Sequence, residues 1–229
     1  MPVFNNILAG AAGQTGGAVV GPIKSVRFNP GDDAHLDRTP SSAGNQRTFT
    51  IAFWAKLCDI SSNTNYFYTA GSGSPGGLNS LEIGIDLYNR LFISEYGATL
   101  SDYFIETTSA YHRDPSAWYH FIIAVDTTQS TATNRVKFYV NGVEQDKEST
   151  SYPFTQNRDT AINGTSKQTI GSDGASDLSG YLADFFLIDG SQKDPTDFGA
   201  FDDNGVWQAA EYSGTFGTNG FHLFDFANE

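Results

Sequence analysis

The chain is poor in cysteine, methionine and basic residues. Of its 229 residues one is a cysteine, Cys58, and one is a methionine. A single thiol excludes an internal disulfide framework and any zinc site built from cysteines, so the fold must rest on its own core. Lysine and arginine number 13 against 26 aspartates and glutamates, a net charge of −13. Such a chain is repelled by phosphate backbones and by anionic lipid surfaces, which argues against nucleic-acid partners and against membrane insertion. Helical periodicity is scarce, and no run of about 20 apolar residues could span a bilayer. What the chain has in quantity is aromatics, with 18 phenylalanines and 11 tyrosines, and glycine, with 24. The former suit a pleated, packed sheet and the latter suit tight turns. At 39% hydrophobic and 17% charged residues, the chain is too apolar to be disordered.

Residues 1–23 carry no charged side chain, and Lys24 is the first. The stretch lacks the basic start and unbroken apolar middle of a secretory signal, and Asn5, Asn6 and Gln14 interrupt it. Two readings stay open. One is a flexible leader. The other is an assembly or anchoring element, carried by Phe4, Asn5, Asn6, Ile7 and Leu8, that orders only against a partner. The expected organisation is therefore a leader over 1–23 and one β-sandwich over 24–229.

The body reads as short strands separated by turn signals. In the segment 49–57, Phe49, Ile51, Phe53 and Leu57 share one face. Residues 81–87 alternate again, with Leu81, Ile83, Ile85 and Leu87 pointing inward. The run 118–126 is apolar on both faces, which predicts a central strand. Residues 135–140 are followed by Asn141-Gly142, a strong hairpin signal because both turn positions need positive φ. Residues 180–190 form another nearly all-apolar strand, and 221–226 the last. Asp194 as N-cap before Pro195 predicts a short helix, and a second is expected from Trp207 to Tyr212. Long loops are expected at 61–65, 70–79, 127–134 and 149–157. The fold class is all-β, a two-sheet antiparallel β-sandwich.

Three segments carry a resemblance: "RFN…AHLDRTPSSAGNQRTFTIAFWAKL", "WYHFIIAVDTTQSTATNRVKFYVNGVEQ" and "GYLADFFLIDGSQKDPTDFG". Their order is similar to the concanavalin A-like lectin, or laminin G-like, jelly roll, in the version found in virion proteins of bacteriophages, notably marine ones. The leader "MPVFNNILAGAAGQ" and the tail "NGVWQAAEYSGTFGTNGFHLFDF" resemble the same group. The "YVNGV" hairpin is specific for the fold and weak for function, whereas the leader and "IDG…DPTDFG" are narrower and point to virions. The resemblance implies a non-enzymatic structural or adhesive protein of a tail fibre, or of a head fibre or decoration protein. It would be assembled in the host cytoplasm onto capsid or tail proteins. Host surface glycan would be its ligand, and a homo-oligomer, a trimer by analogy with fibres, its state.

Glycoside hydrolysis is the enzyme to test, because glucanases share the sandwich. Their pair of carboxylates must stand about 5–9.5 Å apart. The nearest elements here, Glu82 and Asp86, are about 13 Å apart on a regular strand, and Gly84 stands where a central aspartate would be needed. Glu82, Asp86 and Tyr88 instead read as a polar strip on the face opposite the inward aliphatics. It is either a shallow sugar groove or an ordinary solvated face. No cofactor is called for, although acidic clusters at Asp32-Asp33, Asp173/Asp177 and Asp202-Asp203-Asn204 leave calcium open. His35, His112, His120 and His222 lack zinc-pair spacing, and His120, inside an apolar strand, reads as a hydrogen-bonded core residue. Cys58 reads as a small packed residue, and Asn163-Gly164-Thr165 as a turn. The rival functions are a soluble carbohydrate-binding lectin and, less favoured, a glycoside hydrolase.

Overall fold

A computed structural model describes residues 25–60, 64–72, 78–99, 101–149, 151–172, 174 and 176–223. The strands are β1 (Val26–Phe28), β2 (Leu36–Arg38), β3 (Thr48–Leu57), β4 (Asn65–Gly71), β5 (Ser80–Ile85), β6 (Leu91–Tyr96), β7 (Tyr103–Thr107) and β8 (Tyr119–Asp126). They continue with β9 (Val136–Val140), β10 (Val143–Glu144), β11 (Gln168–Ile170), β12 (Gly180–Asp189), β13 (Gly199–Phe201), β14 (Trp207–Ala209) and β15 (Phe221–Leu223). One sheet, here sheet A, runs β1-β12-β3-β8-β9-β10, with β15 also on β12. Sheet B runs β2-β11-β4-β5-β6-β7. All neighbours are antiparallel, as the sequence pattern predicts.

Alternation builds the core between the sheets. Sheet A contributes Phe49, Ile51, Phe53 and Leu57 from β3, Phe121, Ile123 and Val125 from β8, and Leu182, Phe185 and Leu187 from β12. Sheet B answers with Phe67, Tyr68, Leu81, Ile83, Ile85, Leu91 and Ile93. Phe53 is the centre of an aromatic group, its ring 4.8 Å from Phe67, 5.2 Å from Phe185 and 5.9 Å from Phe121. Buried side chains of this size each stabilise by about 2–3 kcal/mol relative to exposure.

Sheet A is apolar on its outer face as well, and the chain after β12 covers it. Ala52, Ile122, Tyr139 and Phe186 are buried beneath Phe198, Tyr212 and Phe216. Trp54 and Ala183 lie beneath Trp207. The cover is tied down by polar contacts: Thr50 Oγ1 donates to the Ser191 carbonyl and accepts from Lys193 N, both at 2.8 Å. Buried His120 stacks on Trp54 at 4.8 Å and accepts a 2.9 Å hydrogen bond from Trp207 Nε1 at its Nδ1. The Asn141-Gly142 turn forms as expected, with φ of 49° and 80°. Gly142 is required twice, because a Cβ there would also collide with the Trp207 indole.

The short helix at Pro195 is a single 3₁₀ turn, Pro195–Asp197, closed by a capping box between Asp194 and Asp197. Three expectations are corrected. Residues 207–212 are not helical: Trp207–Ala209 is a strand pairing with β13. Asp202 closes the preceding turn by accepting from Asn204 N and Val206 N, which commits the chain to a hairpin. Leu87 does not face the core and is 50% exposed. Strand β5 ends at Ile85, and Asp86 Oδ1 draws Tyr88 N and Arg90 N into a turn. Cys58 is exposed rather than packed, because it lies one residue beyond the end of β3.

One end of the sandwich is tied by Asp189, the last residue of β12. Its carboxylate accepts from Asn45 N at 2.7 Å, Asn219 N at 2.9 Å and Asn163 Nδ2 at 3.1 Å. Asn219 in turn donates to the carbonyls of Ser42 and Asn163, and Arg38 donates to the Asn219 carbonyl at 2.6 Å. Gly44 lies so close to the carboxylate that a Cβ would displace it. Asp189→Ala strands two backbone N–H groups at about 1–3 kcal/mol each. A loss on the order of 3 kcal/mol is expected in urea unfolding, and an unchanged midpoint would contradict the role.

Two histidines give acid sensitivity. Burial pushes His120 down to about 3 and His112, edge-on to Tyr119 and Phe121, down to about 4. The unfolded chain therefore takes up protons first. Their contribution to stability is complete above pH 6.5 and is lost as pH falls from 6.5 toward 4 and 3. Glu95 and Glu106, raised by burial, act in the opposite direction. The readout is therefore a difference: the urea midpoint should fall less between pH 7 and 4.5 in His112→Leu than in the unaltered protein.

Candidate functional site

Of the three residues expected to line one groove, Asp86 and Tyr88 share a turn and Glu82 is set apart from them. Glu82 points outward from the middle of β5, between Thr69 and Ser94 on the neighbouring strands. It is 4% exposed, so it belongs neither to an open groove nor to a solvated face. Its two oxygens accept from Ser80 Oγ at 3.3 Å and Ser94 Oγ at 3.2 Å. Asp86 belongs to the turn beyond the strand, where its carboxylate also binds Arg90 Nε at 2.9 Å and Nη2 at 2.7 Å. Tyr88, on the same turn, is 54% exposed, with the Arg90 guanidinium 5.0 Å from its ring centre. Phe4, Asn5, Asn6, Ile7 and Leu8 lie outside the described residues, as does Asp173. Asp32 accepts from Asn29 Nδ2 at 2.7 Å, and Asp202 caps its hairpin. Among the described residues no group of three His, Cys, Asp or Glu side chains is arranged to hold a metal.

A polar trough lies at the end of the sandwich tied by Asp189. Its deeper half, about 330 Å³, opens where β4, β5 and β6 stop and the segment 158–166 crosses them. Glu95 follows the inward alternation of Leu91 and Ile93 on β6, but at the strand end it reaches this opening. Arg158 Nε and Nη2 lie 3.0 Å from Glu95 Oε1, and Ala161 N donates to Oε2 at 3.3 Å. Arg158 Nη1 also binds Asp102 Oδ2 at 2.6 Å. Gly97 leaves room for this pair, since a Cβ there would push Asp102 and the Arg158 guanidinium aside. Burial raises the Glu95 carboxyl to about 7, against the pull of Arg158 and Ala161 N. Beside it Tyr96 lies with its ring 4.4 Å from that of Tyr103, whose hydroxyl burial also pushes upward.

The shallower half, about 560 Å³, shares Ala43, Gln46 and Asp159 with the first. Arg47 and Asp159 pair across it through two hydrogen bonds, 2.6 and 3.1 Å long. Volumes of this order suit a small ligand. The carboxylates of Glu95, Asp102 and Asp159 are each engaged by a guanidinium. The trough therefore offers directional hydrogen-bond donors and acceptors, with Tyr96 among its lining residues, rather than an unpaired acid and base. Sequence reasoning missed Glu95, Tyr96, Arg158 and Arg47. The one available signal was Glu95, a carboxylate at a core-facing position of an alternating strand. Its partner Arg158 is 63 residues away.

The fold recurs in solved proteins. The full-length tailspike protein 2 of an Escherichia coli O157:H7 bacteriophage is 16% identical, with a TM-score of 0.51. The match covers 76% of this chain and 23% of that one. For the enzymatically active domain of bacteriophage CBA120 tailspike protein 2, the values are 16%, 0.51, 81% and 29%. This chain thus spans about a quarter of the length of the tailspike sequences. A heptameric SAP-like pentraxin from Limulus polyphemus is 15% identical at a TM-score of 0.48, covering 72% of this chain and 75% of that one. No curated protein matches in sequence. Among the described residues, no helix is long and apolar enough to cross a membrane. The family model for the concanavalin A-like lectin/glucanases superfamily matches residues 30–196, more than half of the chain, and with the two-sheet jelly roll this makes the protein a member of that superfamily.

Proposed function

We propose that this chain is a non-enzymatic glycan-binding domain of a bacteriophage virion, part of a tail fibre or of a head fibre or decoration protein. The observation that carries glycan binding is the trough. It brings together the Arg47–Asp159 and Arg158–Glu95 pairs and the Gln46 side chain, with half-buried Tyr96 among its lining residues. A sugar presents hydroxyls to the polar groups and a C–H face to the ring, and fixed donors with an aromatic platform meet both needs. The virion assignment rests on the resemblance of the leader and of the "IDG…DPTDFG" stretch. The tailspike likeness supports the fold alone.

The first test is a screen of host surface polysaccharides and defined oligosaccharides by calorimetry. Tyr96→Ala is expected to weaken a bound glycan about tenfold or more while leaving the circular dichroism spectrum intact. Reducing ends should not be released during the incubation. Binding indifferent to Tyr96 and Arg47 would remove the trough from the reading. Release of reducing ends, lost in Glu95→Gln, would replace it with glycoside hydrolysis.

The second test concerns assembly. Light scattering on a sizing column is expected to show an oligomer for residues 1–229 and a folded monomer for a chain lacking residues 1–23. Identical monomers would instead favour a soluble lectin.

A further inference from the structure

Basic side chains are scarce, and nearly all are spent internally. Among the described residues, only Arg27, Lys56 and Arg113 have side chains that make neither a hydrogen bond nor an ion pair within 4.0 Å, against nine that do. Two of the three stand in one row. Arg27 on β1 is opposite Tyr181 on β12, and Tyr181 is opposite Lys56 on β3. Trp118, just before β8, completes the row, its ring 6.4 Å from that of Tyr181. The Arg27 guanidinium lies 5.9 Å from the Tyr181 ring centre.

The row lies on the outer face of sheet A, one step beyond the covered pair Trp54 and Ala183, where Trp207 ends the C-terminal cover. Arg27 is exposed, and Lys56, Trp118 and Tyr181 are half-buried. Asp114 is the acid that senses Lys56, but its carboxylate is held by Ser116 Oγ at 2.6 Å and Ser116 N at 2.8 Å. Strands lie about 4.8 Å apart, so the backbone positions of Arg27 and Lys56 are roughly 10 Å from each other with Tyr181 between them.

We infer that this row is a second binding site, for an anionic saccharide carrying carboxylate or sulfate groups. Tyr181 and Trp118 supply ring faces for the sugar, and Arg27 and Lys56 pair with its charged groups. Local charge complementarity selects the ligand class, since a net charge of −13 repels long polyanions and anionic bilayers as a whole. A short acidic saccharide needs only the local pair. The row at Lys56 is about 30 Å along the chain from Arg47 in the trough, so the two sites stand or fall separately.

The test is calorimetric titration of the full chain with an oligosialic acid, an oligogalacturonate, a sulfated oligosaccharide and a neutral oligosaccharide, all of matched length. The charged oligomers are expected to bind and to perturb the fluorescence of Trp118, since Trp54 and Trp207 are buried. Arg27→Ala and Lys56→Ala should each weaken binding of the charged oligomers about tenfold, Trp118→Phe should abolish the optical signal, and Tyr96→Ala should leave the Trp118 signal from the charged oligomers in place. Binding by the carboxylated oligomers alone, or by the sulfated one alone, would identify the charged group. No binding by any charged oligomer, or binding unchanged in Arg27→Ala and Lys56→Ala, would overturn the site. Loss with Tyr96→Ala would assign the charged ligand to the trough instead.

Discussion

Sheet A is apolar on both faces, and the rest of the architecture follows from that constraint. A sheet of this kind must be covered twice. Sheet B covers one side. The segment from β12 to β15 covers the other, anchored by Phe198, Trp207 and Tyr212. The cover is tied to the sheet where a buried polar group would otherwise go unpaired, at Thr50 and at His120. Most of the outer face of sheet A is thereby used for stability, and the row beside Tyr181 lies at the margin where the cover stops.

The charge economy follows a related logic. With 13 basic residues among 26 acids, most cations hold loops in place. Arg158 joins β6, the following turn and the crossing segment. Arg90 holds its own turn and reaches Glu148, and Lys147 neutralises the otherwise buried Glu106. A buried pair of this kind gains little net stability, but breaking it is costly. The polar trough is thus the open side of a structural network, and its donors arrive already oriented. Arg27 and Lys56 are not used in this way, and Tyr181 stands between them in the strand register.

Much of the sandwich was legible in the amino-acid sequence because strand alternation is local. Phe49, Ile51 and Phe53 declare their face by spacing alone, Asn141-Gly142 declares a turn by its tolerance of positive φ, and Asp194-Pro195 declares a helical start. The double-sided apolarity of β8 and β12 even implied that both faces are covered, although not by what. Tertiary context decided the remainder. Leu87 continued a perfect alternation, yet the Asp86 carboxylate ended the strand. Trp207–Tyr212 could have begun a helix, yet Gly142, His120 and Trp54, distant in sequence, formed the seat for the Trp207 indole. The trough joins Glu95 to Arg158, and Asp189 to Asn45, Asn163 and Asn219. Contacts over such separations leave no periodic trace, because they depend on which loops the two sheets bring to the same end.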